Sequence, residues 1–405
     1  MRLFVGLFVG VYVARYLGPE QFGILNFALS FVALFGAFAS LGLDGIVVRN
    51  AVRDPDSREE LLGTAFGLRL IGGIVLLAAV YGAIQLVDSD PLTQLMVMVI
   101  ALGQVLQAFQ VIEFYFQSKI MARFIAIAGM TALILSSGIK LGLIWSDASL
   151  VWFAWVVVVE NGIKGIVLAI LYLRQRIPLM RWRFRIGQAR MLLRDSWPLI
   201  LSGLVVMVYM RIDQVMIKMM LGDKAVGNYA AAVRLSEAWY FVPFVIIDSL
   251  FPLLANSKKE NQKKYELEIY KLFSLIISLG YAYSILITLY AQNIVLILFG
   301  NSFKEAVQPL IILSWSGVFT GLSRAFGVWL INENYMKKNF YRTLLGALLN
   351  FFLNFILIPN LGISGAAYST LISLFFVNII YDIFDNDLRE ILHLKIKSFI
   401  PFLYK

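Results

Sequence analysis

The chain contains no cysteine and only one histidine among its 405 residues. Disulfides, thiolate metal sites and a catalytic thiol are therefore excluded. The lone histidine, His393, lies in a polar tail, which argues against both a Ser–His–Asp triad and a histidine-based metal site. Neither a metal nor a cofactor is expected. Charge is scarce too: 15% of residues are charged, against roughly 25% in soluble domains. In their place stand apolar side chains, 60% of the total, with a mean hydropathy of +0.80. No soluble core of this length buries so much apolar surface. The apolar runs are about 20 residues long, not ten-residue alternating segments, and so specify membrane-spanning helices.

Runs of spanning length fall at about 22–43, 63–87, 93–117, 123–145, 149–173, 196–221, 226–254, 272–298, 306–334, 340–358 and 362–384. A shorter run, Leu3 to Leu17, precedes them and makes twelve. It is too short for a comfortable span. As a signal peptide cut after Ala14 it would carry Tyr12 where a small residue belongs, so a first transmembrane helix is the better reading. Alternate loops and both termini hold 25 Lys and Arg, whereas the other loops hold two, Lys224 and Lys304. The positive-inside rule then puts both termini in the cytoplasm. This distribution assigns the net charge of +10 to orientation and to anionic lipid headgroups, not to nucleic acid. Trp145 and Trp152, and Trp182 and Trp197, read as interfacial belts.

The chain repeats in outline. Leu17-Gly18-Pro-Glu-Gln-Phe-Gly23 returns as Leu221-Gly222-Asp-Lys-Ala-Val-Gly227, half a chain later, and each copy opens an Ala-rich helix. Duplication of a six-span half follows: one lobe at 1–173, another at 196–384, joined by a basic linker at 174–195 and followed by a tail at 385–405. An even number of spans per half predicts a pseudo-two-fold axis along the membrane normal, with a substrate path in a central cavity. The linker reads as an amphipathic segment on the inner leaflet.

Eight Lys and Arg remain inside spans: Arg15, Arg69, Lys140, Lys164, Arg211, Lys218, Arg234 and Arg324. A charge at mid-bilayer costs roughly 2.5–3.5 kcal/mol on insertion scales. Lys218 is placed to snorkel. Glu160 and Lys164, i and i+4 with Glu first, are expected to pair, as are Arg234 and Glu237 at i and i+3. Arg211 and Asp213 point about 200° apart on one helix and need other partners. With Glu113, Glu160, Asp213, Glu237 and Asp248 as the acids, cations predominate, and an unbalanced positive interior reads as an anion site. Gln104, Gln107, Gln110, Glu113 and Gln117 give the fourth span a polar stripe that faces helices or water. Pro243 in the eighth span marks a kink, read equally as a hinge or as static shape.

The stretch ARYLGPEQFGILNFALSFVALFGAFASLGLDGIVVRNAVRD closely resembles the opening of the bacterial polysaccharide flippases, the O-antigen translocases of the oligosaccharide/polysaccharide/lipid exporter superfamily. RYLGPEQFG and LGLDG followed by Arg49 are the specific part, and the resemblance runs nearly the whole chain, through GISGAAYST. The shorter N-terminus is a departure from the family. The resemblance implies an all-α, twelve-helix, two-lobe membrane protein around a cationic cavity. It implies a lipid-linked oligosaccharide on undecaprenyl diphosphate as substrate, moved from the inner to the outer leaflet of the bacterial inner membrane. Membrane lipids and polysaccharide assembly proteins are further expected partners. Arg211, Arg234, Arg15, Arg324, Lys140 and Arg69 are then candidates for the diphosphate, which a planar guanidinium grips bidentately. Asp213, Glu237, Glu160 and Lys164 are candidates for coupling H⁺ or Na⁺. A multidrug/cation antiporter of the same superfamily would favour interior acids. A membrane polymerase or ligase would need larger outer loops than the roughly seven residues available.

Overall fold

The computed structural model describes residues 2–175 and 181–400. Arg176 of the linker and the end of the tail, Lys405 included, lie outside the described residues, as does the side chain of Arg2. Among the described residues every regular element is helical and none is a strand. Eleven described helices are long and apolar enough to cross a membrane. The first, Val5–Leu34, is interrupted at Gly18, and counting its two arms separately gives the twelve spans the sequence predicts.

The chain divides into two compact units, Met1–Val215 and Met216–Lys405. In the first, α1 (Arg2–Leu34) is followed by two short helices, α2 (Gly36–Ser40) and α3 (Asp44–Arg53). Next come α4 (Arg58–Val87), α5 (Pro91–Val105), a 3₁₀ stretch at Leu106–Gln110, α6 (Val111–Ser118), α7 (Ala122–Trp145) and α8 (Leu150–Leu173). Local chemistry sets these ends. Glu59 and Glu60 occupy the first turn of α4, where carboxylates favour the dipole. Asp90 caps α5 by accepting from the Thr93 amide at 2.9 Å, with Pro91 at the first helical position.

The 3₁₀ stretch lies where the polar stripe falls. With three residues per turn, Gln104, Gln107, Gln110 and Glu113, spaced by three, stay on one face there. α9 (Ile186–Leu221) has 36 residues, about 54 Å at 1.5 Å per residue. That exceeds a bilayer core of about 30 Å, and its first ten residues come from the range read as linker.

The described part of the linker packs on the first unit. The indole of Trp182 donates to the Tyr172 hydroxyl at 3.1 Å and lies 5.6 Å from the Phe66 ring. Arg185 pairs with Glu60 at 2.9 Å, and its amide donates to Thr64 at 3.1 Å. A Cβ on Gly63 would come within 2.6 Å of the Arg183 nitrogen, so this close approach needs glycine. Trp182 thus packs against Tyr172 and Phe66, because the linker folds back onto α4. Trp145, Trp152 and Trp197 are exposed.

The second unit begins within α9. It comprises α10 (Asp223–Trp239), α11 (Phe241–Glu260), α12 (Gln262–Leu298), a 3₁₀ stretch at Asn301–Ala306, α13 (Val307–Asn332), α14 (Met336–Leu361), α15 (Ile363–Phe375), a π-helical turn at Phe376–Ile380, α16 (Tyr381–Phe384) and α17 (Arg389–Ser398). Ile247, Phe273, Ile276, Leu322, Phe326 and Trp329 form its core, and Leu388 and Ile391 extend it onto the tail. The eighth span breaks at Tyr240, three residues before Pro243. A proline there cannot donate, so the helical bond across the break is absent.

The two copies of the repeat share a backbone state. Gly18 has φ 68° and ψ 171°, and Gly222 has φ 86° and ψ −177°. This region is essentially closed to residues with a Cβ. In both copies it breaks one helix and starts the next within a single residue.

Candidate functional site

The charges inside the spans form more ion pairs than the sequence indicates. Arg69 on α4 is buried, contacts the Asp44 carboxylate and lies 4.8 Å from the Phe114 ring. Asp44 stands at the start of α3, at the acid of the LGLDG motif. Lys164 on α8 pairs with Glu113 at 2.8 Å, and Lys140 on α7 pairs with Glu160 at 3.5 Å. The expected Glu160–Lys164 pair is therefore not made. Each of these residues finds its partner across a helix interface instead of along its own helix.

Lys218, expected to snorkel, reaches across the Gly222 turn to Asp223 at 2.6 Å. Arg324 on α13 pairs with Asp248 at 2.9 Å and lies 5.1 Å from the Phe244 ring. Arg69, Lys140, Lys164, Lys218 and Arg324 thus each face a carboxylate. The expected large excess of positive charge shrinks, because Asp44 and Asp223 sit at helix ends and read as loop residues in the sequence.

The remaining candidates lie as follows. Arg15 on α1 is exposed. Arg211 on α9 is half-buried and Asp213 is buried, with Asp213 accepting from the Gln214 amide at 2.8 Å. Gln214 in turn accepts from Ser30 at 2.9 Å, which ties α9 to α1 inside the first unit. Arg234 and Glu237 are half-buried on α10 and attract each other, as their i, i+3 spacing predicts. Arg211 belongs to the first unit and Arg234 to the second. Beside Glu237, Trp239 stacks on Tyr283 with centroids 4.5 Å apart, which makes it a packing residue.

One charged cluster escaped sequence reasoning. Arg342, Asp382 and Lys395 are buried together in the second unit. The positive-inside count places Arg342 among the cytoplasmic loop residues, and Lys395 falls within the tail at 385–405. The available signal was Asp382, an acid two residues inside the end of the last apolar run. No group of His, Cys, Asp and Glu among the described residues is arranged to hold a metal ion.

An all-helical chain with this many spans, two compact units and buried ion pairs is a multi-pass membrane protein of the transporter type. Solved structures place the fold. An inward-facing multidrug resistance MATE transporter of the MOP superfamily superposes with a TM-score of 0.78 at 16% identity, covering 98% of this chain and 96% of that one. The lipid II flippase MurJ, in an inward closed conformation, gives 0.72 at 13% identity, covering 98% and 89%. Among sequences, the "Putative O-antigen transporter" of Escherichia coli K12 is 23% identical over 353 residues, covering 83% of this chain and 81% of the relative. The family model for polysaccharide biosynthesis proteins matches residues 12–308, and the chain belongs to that family. These relatives bear the names of transporters and flippases, not of enzymes.

Proposed function

We propose that this protein carries an undecaprenyl-diphosphate-linked oligosaccharide from the inner to the outer leaflet of the bacterial inner membrane, by alternating access and with ion coupling. The observation that carries the reading is the match of residues 12–308 to the polysaccharide biosynthesis family, in a chain whose spans hold half-buried guanidinium groups, Arg211 in the first unit and Arg234 in the second. A diphosphate offsets the desolvation of such groups through charge-assisted hydrogen bonds. Arg15 is the third proposed contact. Arg69, Lys140 and Arg324 contribute where their ion pairs open. Asp213, Glu237, Glu160 and Lys164 are the proposed coupling groups, with H⁺ or Na⁺ as the ion. Both termini lie in the cytoplasm in this reading. The matching turns at Gly18 and Gly222 support a division into halves at 1–173 and 196–384, with a linker at 174–195 and a tail at 385–405.

A cation antiporter of the same fold is the second reading. Pairing of Arg69, Lys140, Lys164, Lys218 and Arg324 favours it, because it removes much of the positive bias that argued against it. Complementation separates the two. The chain should restore surface glycan in a strain lacking its own polysaccharide flippase and should confer no resistance to cationic drugs. Drug resistance without glycan export would favour the antiporter.

A further inference from the structure

The tail helix α17 is too short to cross a bilayer and lies outside the candidate spans, yet it buries a lysine completely. Lys395 contacts the Asp382 carboxylate, donates to the Asn378 carbonyl at 3.3 Å and lies 3.2 Å from the centre of the Phe326 ring. Arg342 shares the same carboxylate at 3.7 Å, donates to the Val377 carbonyl at 3.0 Å and covers the same ring at 4.3 Å. Both carbonyls belong to the π-helical turn at Phe376–Ile380. A π turn lies outside the i, i+4 ladder and is commonly found at functional sites. One carboxylate therefore faces two cations in a site closed to water, and one of its oxygens, Oδ1, makes no hydrogen bond.

Among the described groups the cluster holds two bases and one acid, an imbalance that loss of a proton from one base would correct. Arginine does not give up its proton in proteins. Asp382 is buried, which works against its charged form, but Lys395 and Arg342 beside it favour that form. The amine of Lys395 is left. We propose that Lys395, with Asp382 and Arg342, forms a proton-binding site that governs how firmly α17 is held against the second unit. Burial, with Arg342 adding to it and Asp382 opposing it, pushes the Lys395 ammonium down to about 7.

The sign of the linkage follows. Released into water, Lys395 titrates near 10.4. Docking therefore expels a proton between about pH 7 and that value, so it strengthens as pH rises and weakens as pH falls. Below about pH 7 it no longer changes. The docking ratio varies by up to about tenfold per pH unit in the window. Other charged groups near α17 are Asp385 and Lys338, which pair, Glu333, Glu266 and Asp387. His393 on α17 itself lines a cavity of about 300 Å³ with the last three. His393 shares α17 with Lys395 and needs its own control. The inference does not depend on which substrate is carried.

Two measurements on the full chain test it. Difference potentiometric titration between the native protein and Lys395→Met should show about one extra proton bound by the native protein, with a midpoint near 7. Asp382→Asn, which removes the counter-charge, should move that midpoint lower. No extra proton would overturn the site. Because the chain has no native cysteine, spin labels at Lys264→Cys and Ile396→Cys report the α12–α17 distance. A longer-distance population should grow as pH falls from 9 to 6.5, be absent in Lys395→Met, and persist in His393→Gln. A distance distribution that ignores pH, or whose pH response survives Lys395→Met or vanishes in His393→Gln, would overturn the latch.

Discussion

Lys164 makes the sharpest test of how the interior charges are arranged. Its ammonium meets Glu113 on a different helix at 2.8 Å, while Glu160, one turn before it on its own helix, is engaged by Lys140. At an effective dielectric of about 20, two unit charges at that separation attract by about 6 kcal/mol before desolvation. Two facts reduce the net. Both side chains keep 15–19% of their exposure, and the Glu113 Oε1 that faces the ammonium makes no hydrogen bond. The pair is an ion contact without the directional component that takes charged hydrogen bonds to about 1.5–3 kcal/mol. A net coupling of about 1–2 kcal/mol is therefore expected. The assay is a double-mutant cycle on purified protein, using Lys164→Met and Glu113→Gln, with unfolding followed by denaturant titration. A second cycle with Lys164→Met and Glu160→Gln should give a coupling near zero. If the second coupling exceeds the first, the intrahelical pairing suggested by the sequence is correct and the interhelical assignment fails.

Alanine at Gly18 or Gly222 should destabilise the protein by about 1–3 kcal/mol, because the backbone there is held in a region essentially reserved for glycine; a thermal scan in which both variants match the native protein would refute the shared-turn argument. Topology is testable through introduced cysteines: Lys259→Cys should be shielded from an impermeant thiol reagent added to spheroplasts, whereas Ser302→Cys should react, and the reverse pattern would invert the orientation. Gly63→Ala, which thrusts a methyl into the linker backbone at Trp182 and Arg183, should increase protease cleavage in the linker; unchanged cleavage would mean that the linker does not depend on this seat.

The spans were legible because their signal is one of length and hydropathy, which the bilayer imposes on every segment alike. The turn at Gly18 was legible through its copy at Gly222. The glutamine stripe of the fourth span was legible as a polar face, and its spacing of three already held the 3₁₀ geometry found at Leu106–Gln110. Ion pairing was legible only along one helix. Arg69 with Asp44, Lys164 with Glu113 and Arg324 with Asp248 join residues from 25 to 76 positions apart, which no local spacing rule reaches. Arg342 and Lys395 misled for another reason. A basic residue near a span end counts as a loop residue under the positive-inside rule, and the rule cannot see a tail helix folding back to bury it.

The central proposal is that Arg211 and Arg234 each serve the transport of a phosphorylated lipid carrier. Its most direct test is export of lipid-linked glycan by the Arg211→Ala, Arg234→Ala double variant at matched membrane expression. The account predicts that surface glycan is lost while insertion is retained. Lysine at either position should restore only part of the activity, since it keeps the charge and loses the bidentate fork. Normal surface glycan from the double alanine variant would contradict the account and leave these two arginines as structural charges.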